Sequence, residues 1–245
     1  MPTQQPDGVH HIAIMSADMK AQLTFFTQVL GFPLVGLFDM HGVPGGKHAF
    51  LKMADDSFFS VVELDGVGDI PATIGITHSG TGAGKSAAGT MQHIAFRAPD
   101  EAGLLALRNR IRSHGVPAIG PIGHGFCKSI YFAGPEGLTL EVSTQMTPLD
   151  PARWVDPKVL EACGISGEEA EAMLNPAPCV ANADVSQPAY DPAVPNMAYP
   201  AETLKMILAT PDEAITAQGS YNEPPVPAQG EWPEWGGKRT LSCGP

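Results

Sequence analysis

The feature that most constrains this chain is a repeat. The stretch HHIAIMSADMKAQLTFFTQVLGFPLV, from His10, returns from Met91 as MQHIAFRAPDEAGLLALRNRIRSHGVPAI with the same order of elements. A duplicated unit of this size builds its core by pairing with its own copy, which removes most other architectures at once. In each copy a short strand, HIAI from His11 or HIAF from His93, leads into a helix. Asp18 is placed to cap the first helix, Phe25, Phe26, Val29 and Leu30 fall at core spacing, and Gly31 ends it. Pro99, Asp100 and Glu101 open the second, Leu104, Leu107 and Ile111 line one face, and Gly115 terminates it. Three extended apolar segments follow each helix: FPLVGLF, KHAFLKM and SFFSVVEL in the first copy, VPAIGPI, KSIYFAG and LTLEVST in the second. Each copy therefore reads as a βαβββ module, and the fold class as α+β.

Module one spans residues 8–66 and module two residues 91–145, with a linker over 67–90. That linker contains SGTGAGKS at 79–86, which approaches the phosphate-binding pattern GxxxxGK[ST]. The first position is Ser79, however, and only about four residues separate Ser86 from Met91, where the approach to the next strand begins. A phosphate loop needs a helix after it, and a stable helix takes about 12 residues. The reading adopted is a flexible Gly/Ser linker.

Past Met146 the character changes. Of the 24 prolines, 15 lie in this last hundred residues, among short helical signals such as the capping box SGEE at 166–169 and TPDE at 210–213. The expectation is a Pro-rich, partly helical extension over 146–245. Its apolar residues, Met173, Leu174, Leu204, Met206, Ile207, Leu208, Trp232 and Trp235, are too many for a solvated tail, so it should pack on the module pair or on a partner subunit. The net charge of −12 is concentrated there, with 14 acids against 5 bases, compared with 12 against 9 before it. Such an acidic balance excludes a nucleic-acid partner. No apolar run reaches the 18 or so residues of a membrane span, and the N-terminus has no signal-peptide pattern, so the expectation is a cytoplasmic protein without a membrane partner. The four cysteines, Cys127, Cys163, Cys179 and Cys243, are widely spaced and read as free thiols.

The chemistry falls at the strand ends of the repeat. His11 opens copy one and Glu63 sits in its last strand; His93 opens copy two and Glu141 sits in its last strand, at spacings of 52 and 48 residues. If the paired sheets form a cup, all four can point inward as mixed N/O donors to one divalent metal, Fe, Mn, Co, Ni or Zn. By strand alternation His10 points away from His11 and is structural. His41 and His78 read as loop residues, and His114 sits at a helix C-terminus.

The segments HHIAI, FFTQVLGF, MQHIAF and YFAGPEGLTLEV resemble the vicinal oxygen chelate superfamily, over roughly residues 8–145. That superfamily includes glyoxalase I, methylmalonyl-CoA epimerase, extradiol dioxygenases and drug-resistance proteins. The resemblance implies a cupped sheet around a metal held at His11, Glu63, His93 and Glu141, a small-molecule substrate, and a homodimer. It implies first a lyase or isomerase, in which the metal stabilises an enediolate while Glu63 or Glu141 moves the proton. The alternative is an extradiol ring-cleaving dioxygenase. His11, His93 and Glu141 would hold Fe(II), and Tyr131, ten residues before Glu141, would be the functional tyrosine. The acid/base histidine of those enzymes is missing from MADDSFFSVVEL, and His48 or His124 would have to replace it. A glutathione substrate would need cations from Lys20, Lys47 or Lys52. A non-enzymatic binding protein is the third alternative, against which the complete ligand set counts.

Overall fold

The computed structural model describes residues 6–177, 185–219 and 224–225. The chain divides into two units, Met1–Ala181 and Asn182–Pro245. The first contains both modules. Module one comprises β1 (His11–Met15), α1 (Met19–Phe25), β2 (Leu34–Asp39), β3 (Lys47–Ala54) and β4 (Ser57–Glu63). Module two comprises β5 (Ile94–Arg97), α2 (Glu101–Ser113), β6 (Ala118–Gly123), β7 (Cys127–Ala133) and β8 (Thr139–Gln145). Each forms a four-stranded sheet, in the orders β1-β4-β3-β2 and β5-β8-β7-β6, with the first strand parallel to the last and the rest antiparallel. These are the paired βαβββ modules the repeat predicts.

Local punctuation sets the helices. The Asp18 carboxylate accepts from the Ala21 N–H at 2.9 Å, and Asp100 accepts from the Gly103 N–H at 2.7 Å. Gly31 and Gly115 close the two helical segments with φ of 81° and 78°, where a side chain would be strained. The last turn of the first segment, Phe26–Leu30, widens to π geometry and drives Phe26 fully into the core.

One hydrophobic core joins the modules. Phe26 lies 4.1 Å from Phe59 and 6.4 Å from Phe96, ring centre to centre. Phe59 and Phe96 are 5.9 Å apart. Truncating a ring as buried as Phe26 costs roughly 3–5 kcal/mol. Polar clamps fasten the same joint. Glu136, at φ 55° in the turn before β8, accepts from the Ala17 N–H and from Gln22 Nε2, and Arg110 donates to the carbonyls of Gln28 and Val29. Because Phe59 and Phe96 turn toward this core, the opposite face of each sheet turns away from it. Those outward faces carry His11 and His93.

The linker contains only turns and bends between Ser79 and Thr90, and no helix follows it, which removes the phosphate-loop geometry. It is also not free. Ser79 is buried and donates to the Gln92 carbonyl at 2.5 Å, and the Ala87 N–H donates to the Ile76 carbonyl at 2.8 Å.

The extension begins within the first unit. α3 (Pro151–Trp154) sets Trp154 edge-on to Phe126, 5.2 Å between ring centres, followed by α4 (Pro157–Ala162) and α5 (Gly167–Leu174). The Ser166/Glu169 capping box is formed at the start of α5. The second unit contains α6 (Ala201–Ala209) and α7 (Asp212–Gly219). Trp232, Trp235, Cys179 and Cys243 lie outside the described residues; Cys127 and Cys163 are free thiols. Among the described residues no helix is long and apolar enough to cross a membrane.

Candidate metal centre

The outward face of module two is built around His93. Ala95 pairs with Glu141, which pairs in turn with Tyr131, so all three side chains share the face of His93. His93 Nε2 stands 2.9 Å from Glu141 Oε2, with the carboxylate almost buried and the ring one-third exposed. The Tyr131 ring lies 6.4 Å from that of His93, and its hydroxyl meets His124 Nε2 at 2.9 Å. His124 reaches it from the loop before β7, where its N–H donates to the Cys127 carbonyl at 2.8 Å. Burial first, and then the Glu141 charge, raise Tyr131 above the ordinary phenol value, so it stays a neutral O–H at physiological pH.

Module one presents a different set. His11, Phe58, Ser60, His48 and Phe50 share its outward face by register. His48 Nε2 meets Ser60 Oγ at 2.6 Å. Burial, then the nearness of His11 and His41, hold His48 below the ordinary imidazole value, which leaves it uncharged at neutral pH. His10 does not point to the opposite face. It precedes β1, so strand alternation does not govern it, and its ring packs on His11 at 5.2 Å and on Phe58 at 5.5 Å. His41 stacks on Phe38 in the turn after β2, and His114 caps the C-terminus of α2.

Glu63 stands elsewhere. His11 pairs with Phe58, whereas Glu63 lies beyond the Met15–Val62 pair, five residues further along β4. At about 3.3 Å per residue that is roughly 17 Å. It also shares the face of Val61 and Phe59, toward the helices, where its carboxylate accepts from the Met19 N–H at 2.8 Å and from Lys47. The Lys47 hydrogen bond, followed by that of Met19, holds Glu63 below the usual carboxylate range. Matching the two modules by register, Ile12–Phe59 against Ile94–Leu140, places Ser60 opposite Glu141 and Thr144 opposite Glu63. The step from a leading histidine to this place is 49 residues in module one and 48 in module two.

Within one chain the four residues therefore do not converge. His93 and Glu141 meet, His11 lies with His48, and among the described residues no three His, Cys, Asp or Glu side chains are grouped to hold a metal. The His93–Glu141 pair itself suits a divalent metal. It offers one nitrogen and one oxygen donor, and the other ring nitrogen of His93, Nδ1, is bound by Gln92 Oε1, as a metal-bound imidazole requires of its surroundings. Neither Ser60 nor Gln92 stood out in the sequence. Counting register rather than motif would have found Ser60.

Residues 8–142 match the Glyoxalase/Bleomycin resistance protein/Dioxygenase superfamily, more than half of the chain. Similar solved structures include a glyoxylase/bleomycin resistance protein/dioxygenase domain from Frankia, with 14% identity, TM-score 0.46, and 58% of this chain and 100% of that one covered. A lactoylglutathione lyase from Agrobacterium tumefaciens gives 18% identity and TM-score 0.40, covering 57% and 95%. The fosfomycin resistance protein FosX from Listeria monocytogenes, complexed with Mn(II), gives 17% identity and TM-score 0.39, covering 58% and 95%. No curated protein matches the chain.

Proposed function

We propose, from the premise that the chain belongs to the glyoxalase/bleomycin resistance protein/dioxygenase superfamily, that it is a divalent-metal-dependent dioxygenase acting on a small aromatic vicinal diol. The observation that carries the choice is the place of Glu63. The enediolate route that the family resemblance implies calls for a carboxylate or amide as a fourth ligand from module one, and Ser60 stands where register would place it, while Glu63 is engaged by Lys47 and the start of α1. Removing Glu63 from the set leaves His11, His93 and Glu141, a two-histidine, one-carboxylate set with open positions.

His93 and Glu141 would hold the metal in one chain, and His11 of a second copy would complete the set. The outward faces favour this, since His11, Ala13, Met15, Ala95 and Arg97 are all exposed in the single chain. With a metal held by these residues, the site would gain Lewis-acid and redox chemistry toward a vicinal diol and O₂. The residues around it do the rest. Tyr131, neutral and hydrogen-bonded to His124, is placed to donate to an oxygen bound beside His93, with His124 as the proton reservoir behind it. His48, uncharged and tied to Ser60, supplies a proton acceptor from the module-one half. Lys47 and Lys52 are paired with Glu63 and Asp55.

The test is anaerobic loading with Fe(II), then a panel of catechols at an oxygen electrode. Oxygen uptake with yellow ring-cleavage products is expected, together with a dimer by light scattering. Conversion of 2-hydroxycarbonyl or thiohemiacetal substrates without oxygen uptake would reverse the assignment in favour of the lyase or isomerase.

A further inference from the structure

One cation on the outward face of module two is left without a partner. The strand lysines are all held by carboxylates, Lys47 by Glu63, Lys52 by Asp55 and Lys128 by Glu101. The arginines of α2 are engaged locally, Arg108 on Asn109, Arg110 on the carbonyls of Gln28 and Val29, and Arg112 on that of Ala118. Arg97, the last residue of β5, is exposed and makes no hydrogen bond or ion pair among the described residues. Register sets what surrounds it. His93, just before β5, is followed along the outward face by Ala95 and then Arg97. Ala95 heads the row Ala95–Glu141–Tyr131, and Arg97 heads the next one, Arg97–Ser143–Ser129. The first row carries a carboxylate and a phenol. The second carries a guanidinium and two hydroxyls, with Ser129 donating to Ser143 at 3.1 Å. Ala95 offers only a methyl group, so no long side chain of β5 rises between His93 and Arg97.

We infer that Arg97 is a specificity-determining residue, and that the substrate is an aromatic vicinal diol that also carries a carboxylate. The inference rests on the reading of this face as a dioxygenase site and adds which diol it takes. With the diol oxygens beside His93 and Glu141, the ring lies over Ala95 and the carboxylate reaches Arg97. The step from His93 to Arg97 is about 13 Å along the strand, a span that one ring with a short acid arm fills once the two side chains lean over it. A guanidinium suits this role, because its planar fork takes both oxygens of a carboxylate at once. Module one shows the same track without the grip. Its matched run is His11, Ala13 and Met15, with an exposed thioether in place of the cation. The chain as a whole carries a net charge of −12, so a carboxylate is held on it only where a cation is locally free.

The experiment titrates the full chain, with and without Mn(II) and in the absence of oxygen, with a catechol bearing a propanoate arm and with the methyl ester of the same compound, read by calorimetry. The ester keeps the ring and the diol and loses the charge. Wild type should bind the acid about 10-fold or more tightly than the ester. Arg97→Met, which gives module two the residue type of Met15, should weaken the acid by roughly 10- to 100-fold and bring the two ligands level. Arg97→Lys keeps the charge without the fork and should fall between them. No binding of the acid, equal binding of acid and ester by wild type, or an acid preference that survives Arg97→Met would overturn the inference. So would a change of mass in light scattering for Arg97→Met, which would make Arg97 a cation of the contact between copies. An Arg97-dependent preference for the acid, with no oxygen uptake by the Fe(II)-loaded protein, would support Arg97 as the carboxylate grip and instead overturn the dioxygenase reading.

Discussion

The two modules have one topology and two chemistries. Register pairs His11 with His93, Phe50 with Tyr131, His48 with Ser129, Ser60 with Glu141 and Glu63 with Thr144. Only the leading histidine is kept. Module two assembles a carboxylate, a phenol and a loop histidine around it, whereas module one surrounds it with Phe50, Phe58 and the His48–Ser60 pair. Duplication thus supplied two equivalent backbones, and the side chains have made one a cluster of His93, Glu141, Tyr131 and His124 and the other an apolar wall with the His48–Ser60 pair.

The largest effect should come from the two glutamates that look alike in sequence. Glu141→Ala should abolish metal retention, because it removes half of the only His–carboxylate contact among the described residues. Glu63→Ala should leave metal content unchanged. Elemental analysis of both proteins, purified without chelator, decides the matter. Equal metal loss in the two would mean that the modules contribute equally after all.

Next is the aromatic pair. Tyr131→Phe gives module two the residue type that module one carries at Phe50, and should lower kcat by about 10²-fold or more if Tyr131 donates a proton in the reaction. Phe50→Tyr should leave kcat within a few-fold. A Tyr131→Phe enzyme with full turnover would reduce Tyr131 to a packing residue.

A smaller effect should follow from the extension, which touches module two where His124 emerges. Trp154 packs over Phe126 and Gly125, and the glycine has φ 85° with the indole where a Cβ would be. Trp154→Ala should loosen this loop and lower kcat a few-fold through His124, with metal content unchanged. Asp55, in the turn after β3 of module one, makes a surface ion pair with Lys52, so substitutions there should be silent.

Much of this was legible in the sequence. Caps, helix ends and strand order follow from local punctuation, and Asp18, Asp100, Gly31, Gly115 and the Ser166 box all act as their positions predict. The His93–Glu141 contact was legible because β5 and β8 hold them one diagonal step apart. Glu63 was not, because its motif VVEL looks like the LEV of module two although it lies three residues past the equivalent place. The run SFFSVVEL is apolar on both faces, so alternation alone did not say which face was core. The linker read as flexible because glycine composition says nothing about where carbonyls point. Here they converge on Gln92.

The smallest effect concerns what Glu63 does instead. Its carboxylate accepts from the first N–H of α1 and from Lys47, while its counterpart Thr144 is buried with a hydroxyl that has no hydrogen-bond partner. The pair of replacements Glu63→Gln and Thr144→Val should therefore separate by pH. Glu63 is held below its ordinary value of 4.5, so its contribution is complete above that value and is lost as the pH falls through the lower, folded one. Glu63→Gln should cost about 1 kcal/mol at neutral pH, the scale of one charge-assisted hydrogen bond at a partly exposed site. In urea unfolding the wild-type and Glu63→Gln stabilities should converge as the pH falls through the lowered folded pKa of Glu63, below which both side chains are neutral. Thr144→Val removes an unsatisfied hydroxyl while keeping its shape, and should be neutral or slightly stabilising at every pH. A Glu63→Gln deficit that persists unchanged into acid would show that geometry rather than charge holds β4 to the start of α1, and the electrostatic half of the comparison would fail while the register half stood.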